Sequence, residues 1–276
     1  MNAPNPDSPA WKLIAGQRPL VIGHRGCCAF APENTLPSFK LALEAGADLV
    51  ELDYHLSQDG VPMVIHDDTL DRTTDARKKW KRKGIKVADL TAAEIQTLDA
   101  GSWFDTKFAG ARVPLLTEAL DLICGTGGVA LIEHKSGDVG TCVSLLRERR
   151  LINKVAVISF NWEFLRRFHE LEPAQALGAL GRPELLADGR KPSRLSKKLD
   201  AQWLDELANT GAKLAVWNRQ VPKGAINLAH RRGLKVWIYT VNKPKLAGEL
   251  LDKGVQGIIT NDPAALREAV AAHDPV

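Results

Sequence analysis

The chain has 276 residues, 45% hydrophobic and 25% charged, close to the soluble globular average. That is too long for a disulfide-stapled miniprotein and enough for one large core, such as an α/β barrel of roughly 250 residues. Its 37 basic and 33 acidic side chains leave a net charge of +4, which argues against nucleic acid as a partner. No apolar stretch approaches the roughly 20 residues of a bilayer span, and the Pro-rich start lacks the apolar core of a secretion signal. Cys27, Cys28, Cys124 and Cys142 show neither a paired framework nor zinc spacing. The predicted compartment is therefore a reducing cytoplasm, with no stable membrane association.

Residues 1–18 read as a flexible N-terminal tail and 19–274 as one barrel domain. The first predicted strand is 20–24. Pro32-Glu33-Asn34-Thr35 then opens a helix that Asn34 or Thr35 can cap; Leu36, Phe39 and Leu43 give it one apolar face, and Gly46 ends it in a left-handed conformation. Residues 48–54 form the second strand. Segment 62–66 follows after only about eight residues, including the turn signal Ser57-Gln-Asp-Gly60, too few for a parallel crossover, so a hairpin return is predicted. Residues 67–115 are polar and charged, with a short helix predicted at 90–98. They read as an insertion on the rim rather than a second core. Further strands are predicted at 129–135, 155–160, 175–180, 213–218, 235–240 and 257–260, with amphipathic segments such as 162–171 and 244–251 between them. Apart from the hairpin, the strands alternate with helices, which is the α/β pattern of a (β/α)8 TIM barrel with a small insertion on its C-terminal rim.

Glu51 and Asp53 lie two apart on a strand, so their carboxylates share one face while Leu52 takes the other. At the C-terminal end of a barrel strand that face lines the place where such enzymes do chemistry. Two like charges so close need a cation or must share a proton, and carboxylate oxygens suit Mg²⁺ or Ca²⁺. An acidic strand edge without function is the bland alternative. Glu133-His134-Lys135 repeats the spacing: Glu133 and Lys135 share a face, and His134 turns away as a packed or surface histidine. His24-Arg25-Gly26 ends the first strand and His66-Asp67 ends the hairpin strand. Two strand-end histidines beside paired carboxylates suggest an acid–base pair. Arg25 can fork an anion and Lys135 can act as a point charge.

These residues resemble a known family. His24-Arg25-Gly26, Pro32-Glu33-Asn34-Thr35, Glu51-x-Asp53, His66-Asp67, Glu133-x-Lys135, Tyr239-Thr-Val-Asn242 and Gly257-Ile-Ile-Thr-Asn261 are similar, in order, to the motif series of bacterial glycerophosphodiester phosphodiesterases. Ser159-Phe160 and Ala100-Gly-Ser-Trp-Phe104 match further landmarks. The resemblance implies a barrel with an insertion and a metal-dependent enzyme that cuts small-molecule glycerophosphodiesters into glycerol 3-phosphate and an alcohol. It implies that Glu51, Asp53 and Glu133 hold one divalent cation, Mg²⁺ or Ca²⁺. His24 and His66 would be the acid–base pair, Arg25 and Lys135 would hold the phosphate, and Glu33 and Tyr239 would line the substrate site. The implied mechanism is attack by the glycerol 2-hydroxyl, giving a cyclic phosphate that water then opens.

The sequence departs from that pattern in three places. Asn261 stands where Asp is usual, which weakens any supporting role there. Cys27 and Cys28 follow the His-Arg-Gly turn where small residues are common, and are expected to be buried or redox-inert. The basic run 77–83 replaces a short polar turn with Gly; it reads either as a solvated loop or as a field that draws anionic phosphodiesters, or a membrane surface, toward the site. A lysophospholipase D would use the same site but would want an apolar rim or an amphipathic membrane helix, and neither is evident. A non-catalytic barrel that only binds phosphodiesters would be expected to lack an acid–base histidine or a metal carboxylate, and all are present.

Overall fold

The computed structural model describes residues 5–273. Nine strands form in these residues: β1 (Leu20–Gly23), β2 (Leu49–Leu56), β3 (Pro62–Val64), β4 (Val129–His134), β5 (Ala156–Ser159), β6 (Ala176–Leu180), β7 (Leu214–Trp217), β8 (Lys235–Ile238) and β9 (Gly257–Thr260). Their order is β1-β9-β8-β7-β6-β5-β4-β2, and β1 also pairs with β2, closing the ring of a (β/α)8 TIM barrel. The strands are apolar runs because helices follow them and both faces are covered; every residue of β1, β4 and β7 is buried. β3 stands outside this parallel set. It returns antiparallel against Tyr54, His55 and Leu56 at the end of β2, as the short connection demands.

The residues group into two compact units, divided at Ile22/Gly23, Gly137/Asp138, Thr260/Asn261 and Ala264/Ala265. The unit formed by residues up to 22, 138–260 and 265 onward carries β1 as far as Ile22 and all of β5–β9. Its core includes Trp162, Trp203 and Trp217, with ring centroids 6.1 to 6.4 Å apart. Each indole N–H finds a backbone carbonyl, on Leu180, Ser196 and Lys197 respectively, so burying three polar handles costs little. Residues 9–15 differ from the flexible tail expected for 1–18. They form the helix Pro9–Ala15, with Pro in its first turn. Ala10 and Ile14 are buried, and Trp11 donates to the carbonyl of Ala174 and to Asn153 Oδ1.

The other unit, residues 23–137 and 261–264, carries β2, β3 and β4. Register sets Asp53 of β2 beside Glu133 of β4. The helix Leu36–Glu44 begins after Thr35, but the expected side-chain cap is absent: the Thr35 hydroxyl donates to Pro32 O, and Asn34 is engaged elsewhere. Gly46 has the left-handed φ of +73° expected of it. Residues 67–115 bury apolar side chains, including Leu70, Ile85, Val87, Ile95, Leu98 and Val113, in one cluster with Met63 and Ile65 of the hairpin segment. Within 67–115 the predicted short helix is Ala92–Ile95, started by a reciprocal Thr91–Glu94 capping box. No described helix is long and apolar enough to cross a membrane.

Candidate active site

The His24-Arg25-Gly26 turn is built by backbone geometry. Arg25 and Gly26 both take left-handed φ values, +51° and +86°. A Cβ at Gly26 would lie 2.4 Å from Ser38 Oγ, so only glycine allows the turn to close against that helix. The closed turn aims the Arg25 N–H at Glu51 Oε2, 2.7 Å away. One buried carboxylate is thereby fixed by main chain rather than by a mobile side chain.

Strand alternation and register bring Glu51, Asp53 and Glu133 together. All three are buried, and one carboxylate oxygen from each lies within 4.8 Å of the others. Two cations share the cluster: Lys135 Nζ sits 3.1 Å from Asp53 Oδ1 and also contacts Glu133, and Arg25 Nε lies 3.4 Å from Asp53 Oδ2. Burial alone would raise the Asp53 carboxyl, but Lys135 and Arg25 hold it down at about 2. Its neighbours do not share that protection. Burial and the Asp53 charge push Glu133 up to about 7, and burial with Asp53 and Glu133 pushes Glu51 well above the usual carboxylate range. Two fixed cations therefore do not keep three buried carboxylates ionised. A hard divalent cation on this all-oxygen set would supply the missing charge, so the donors fit Mg²⁺ or Ca²⁺.

That imbalance has a measurable consequence. Glu133 has a folded value near 7 against an ordinary 4.5, so its contribution is fully present below about pH 4.5 and lost as pH rises through 7. Glu133→Gln cannot ionise. In chelator, the melting temperature of Glu133→Gln relative to the parent is expected to climb between pH 5 and pH 8. A constant difference across that range would contradict the charge imbalance.

The two histidines sit in different surroundings. His24 Nδ1 is 2.7 Å from Asn261 Oδ1. An amide oxygen only accepts, so Nδ1 carries the hydrogen and Nε2 keeps its lone pair. Burial, then the Arg25 charge, lowers His24 to about 4, and the ring is neutral at pH 7. Asn261 thus retains a positioning contact that its departure from the usual Asp had put in doubt. His66 Nδ1 instead faces a carboxylate, Asp67 Oδ1 at 2.8 Å. Burial lowers His66 as well, but Asp53 and Asp67 favour its charged form.

A continuous polar chain leads from His66 to the phosphate-binding candidates. Asp67 accepts from Arg72, Arg72 forks onto Glu33 with both contacts at 2.8 Å, and Glu33 accepts from Arg25 Nη1 at 2.7 Å. Asn34 donates to Asp53 Oδ2 and accepts from the Asp53 N–H. Sequence reasoning missed Asn34, Asp67 and Arg72 as partners. Asp67, adjacent to His66, and Asn34, inside the Pro32-Glu33-Asn34-Thr35 motif, offered a signal, and Arg72 offered none.

His134 is buried, bonded to Gly137 O and edge-on to Tyr54, as expected of a packed histidine. None of the four cysteines forms a disulfide among the described residues. Burial raises the Cys27 and Cys28 thiols to about 11 and 12, which keeps them protonated and unreactive. Tyr239 lies in the other unit. Its hydroxyl donates to Gly181 O, its ring meets Phe160 edge-on, and both residues line a cavity of about 630 Å³ with Arg182, Asn218 and Leu246. Trp237 is a core residue, 1% exposed.

Known proteins resemble this chain over most of its length. The sequence model of the glycerophosphoryl diester phosphodiesterase family matches residues 24–265. A glycerophosphodiester phosphodiesterase of Caldanaerobacter subterraneus subsp. tengcongensis is 34% identical over 253 residues, covering 90% of this chain and 96% of its own length. One from Bacillus subtilis is 32% identical over 270 residues, covering 91% and 86%. Among solved structures, an Oleispira antarctica phosphodiesterase in complex with the product sn-glycerol-3-phosphate has a TM-score of 0.79 at 28% identity, covering 92% of this chain and 97% of that one.

Proposed function

The chain belongs to the glycerophosphoryl diester phosphodiesterase family, and on that premise we propose that it hydrolyses glycerophosphodiesters to glycerol 3-phosphate and an alcohol, using one divalent cation and two histidines. The observation that carries the proposal is the buried triad of Glu51, Asp53 and Glu133, short of positive charge and set beside Arg25 and Lys135. Glu51, Asp53 and Glu133 would hold the ion. When bound, it neutralises a phosphate oxygen and makes a nearby hydroxyl more acidic.

The remaining work falls to side chains. Arg25, held by Glu33 and Asp53, presents a guanidinium to the phosphate, and Lys135 adds a compact charge. His24, neutral with Nε2 open, removes the proton of the glycerol 2-hydroxyl. His66, whose charged form the Asp67 carboxylate favours, protonates the leaving alcohol. Opening of the cyclic phosphate by water reverses these roles. Glu33 would line the substrate site on the glycerol side. The proposed setting is cytoplasmic, with small diesters as the ligands.

A panel of glycerophosphodiesters with choline, ethanolamine and glycerol alcohols tests the reading. Release of sn-glycerol 3-phosphate with the free alcohol is expected. Release of glycerol and a phosphorylated alcohol, or no cleavage, would contradict it.

The positioning role of Asn261 has its own test. Asn261→Ala frees the His24 ring, and a loss of about 10- to 100-fold in kcat with little change in KM is expected, as for other supporting partners of catalytic groups. Asn261→Asp restores a partner that stabilises the imidazolium, so activity should largely return while the acidic limb of kcat/KM moves to higher pH. An unchanged pH profile in Asn261→Asp would remove Asn261 from the account.

A further inference from the structure

The most concentrated charge in the molecule lies beside this site. Residues 71–86 hold eight basic and two acidic side chains in a chain whose whole net charge is only +4. Arg77, Lys78, Lys81, Arg82 and Lys83 line one open cavity of about 530 Å³, together with Arg72 and Trp103. The cavity's two carboxylates do not neutralise them. Asp71 accepts from the backbone N–H groups of Gly84 and Ile85, and Asp75 from that of Asp99. Among the described residues, none of the five makes an ion pair. A structure gathers unpaired like charges around a cavity at a cost in repulsion, and an anionic occupant removes that cost.

The cavity is joined to the catalytic residues by Arg72. Arg72 lines the cavity, and its guanidinium nitrogens bond Glu33 and Asp67, the partners of Arg25 and His66. We propose that this cavity selects glycerophosphodiesters whose alcohol carries a phosphate of its own, over those whose alcohol is neutral or cationic. The inference rests on the diesterase reading of the carboxylate site. A terminal phosphate is the group that matches guanidinium forks and lysine point charges together, and the volume accommodates a phosphorylated polyol. Because Arg77, Lys78, Lys81, Arg82 and Lys83 are exposed, the selection acts through a field that salt screens within about 10 Å at 0.1 M.

The test compares glycerophosphoglycerol with the same diester bearing a phosphate on its free glycerol end. At low salt the phosphorylated diester is expected to have at least about a tenfold higher kcat/KM, with the ratio shrinking toward one at high salt. The combined variant Lys78→Gln, Lys81→Gln, Arg82→Gln, and separately Arg77→Gln with Lys83→Gln, should each lower that ratio. Equal kcat/KM for both diesters in the parent would overturn the proposal. So would a ratio that survives both variants, or variants that lose only binding to anionic phosphatidylglycerol vesicles, which would make the patch a membrane contact. If neither diester is cut, the diesterase reading fails. Calorimetric titration with the two intact diesters then decides: tighter binding of the phosphorylated one, lost in the variants, supports the cavity assignment, and equal binding overturns it.

Discussion

Replacing Glu51 by Gln is expected to lower glycerophosphodiester turnover on the order of 10³-fold or more, since a metal's electrostatic share of such a barrier is several kcal/mol and each 1.36 kcal/mol is tenfold. Gln preserves an oxygen that can accept from the Arg25 N–H, so the His24-Arg25-Gly26 turn should remain closed. The loss should appear as weakened binding of Mg²⁺ or Ca²⁺ in a direct titration, with the melting temperature of the metal-free protein no lower than the parent's. Asp53→Asn should be as damaging but less clean, because Lys135, Arg25 and Asn34 all meet that carboxylate. A Glu51→Gln enzyme with near-parent activity would remove Glu51 from the metal site.

The second large effect concerns the nucleophile. A diester of the same charge whose glycerol lacks the 2-hydroxyl should still bind through Arg25 and Lys135 and compete with the natural substrate. It should not be cut at a useful rate, because a well-placed internal hydroxyl carries an advantage of up to about 7–11 kcal/mol. His24→Ala and His66→Ala should each cost on the order of 10²–10⁴ on the natural diester. Efficient cleavage of the 2-deoxy diester would mean that water attacks directly. The roles of His24 and His66 would then stand, but the cyclic phosphate would not.

What could be read in the sequence was whatever depends on near neighbours. Apolar runs marked the barrel strands to within a few residues, and the two-residue spacing of Glu51 and Asp53 placed both carboxylates on one face before any register was known. The eight-residue return marked β3 as a hairpin. What could not be read depends on distant partners. Asn261 meets His24 across 237 positions, and no local pattern announces that an amide will replace a carboxylate there. Asn34 read as a helix cap because its neighbours are cap-like, yet its side chain goes to Asp53. The helix Pro9–Ala15 is seven residues long, too short to be stable by propensity; its buried Ala10 and Ile14 and the bonds of Trp11 hold it, and none of these is visible locally. The insertion hid the cluster it shares with the hairpin for a similar reason: Leu70, Ile85 and Leu98 are spaced by loops rather than by a helical or strand period.

The central claim is that three buried carboxylates without sufficient compensating charge hold the ion on which hydrolysis depends. The most direct measurement follows sn-glycerol 3-phosphate release from glycerophosphocholine before chelation, after exhaustive EDTA treatment and dialysis, and after stepwise return of Mg²⁺ or Ca²⁺. Turnover should vanish in the stripped enzyme and return with saturation at one ion per chain, and Glu51→Gln should fail to recover at the same ion concentrations. Undiminished release from the stripped enzyme would contradict the account.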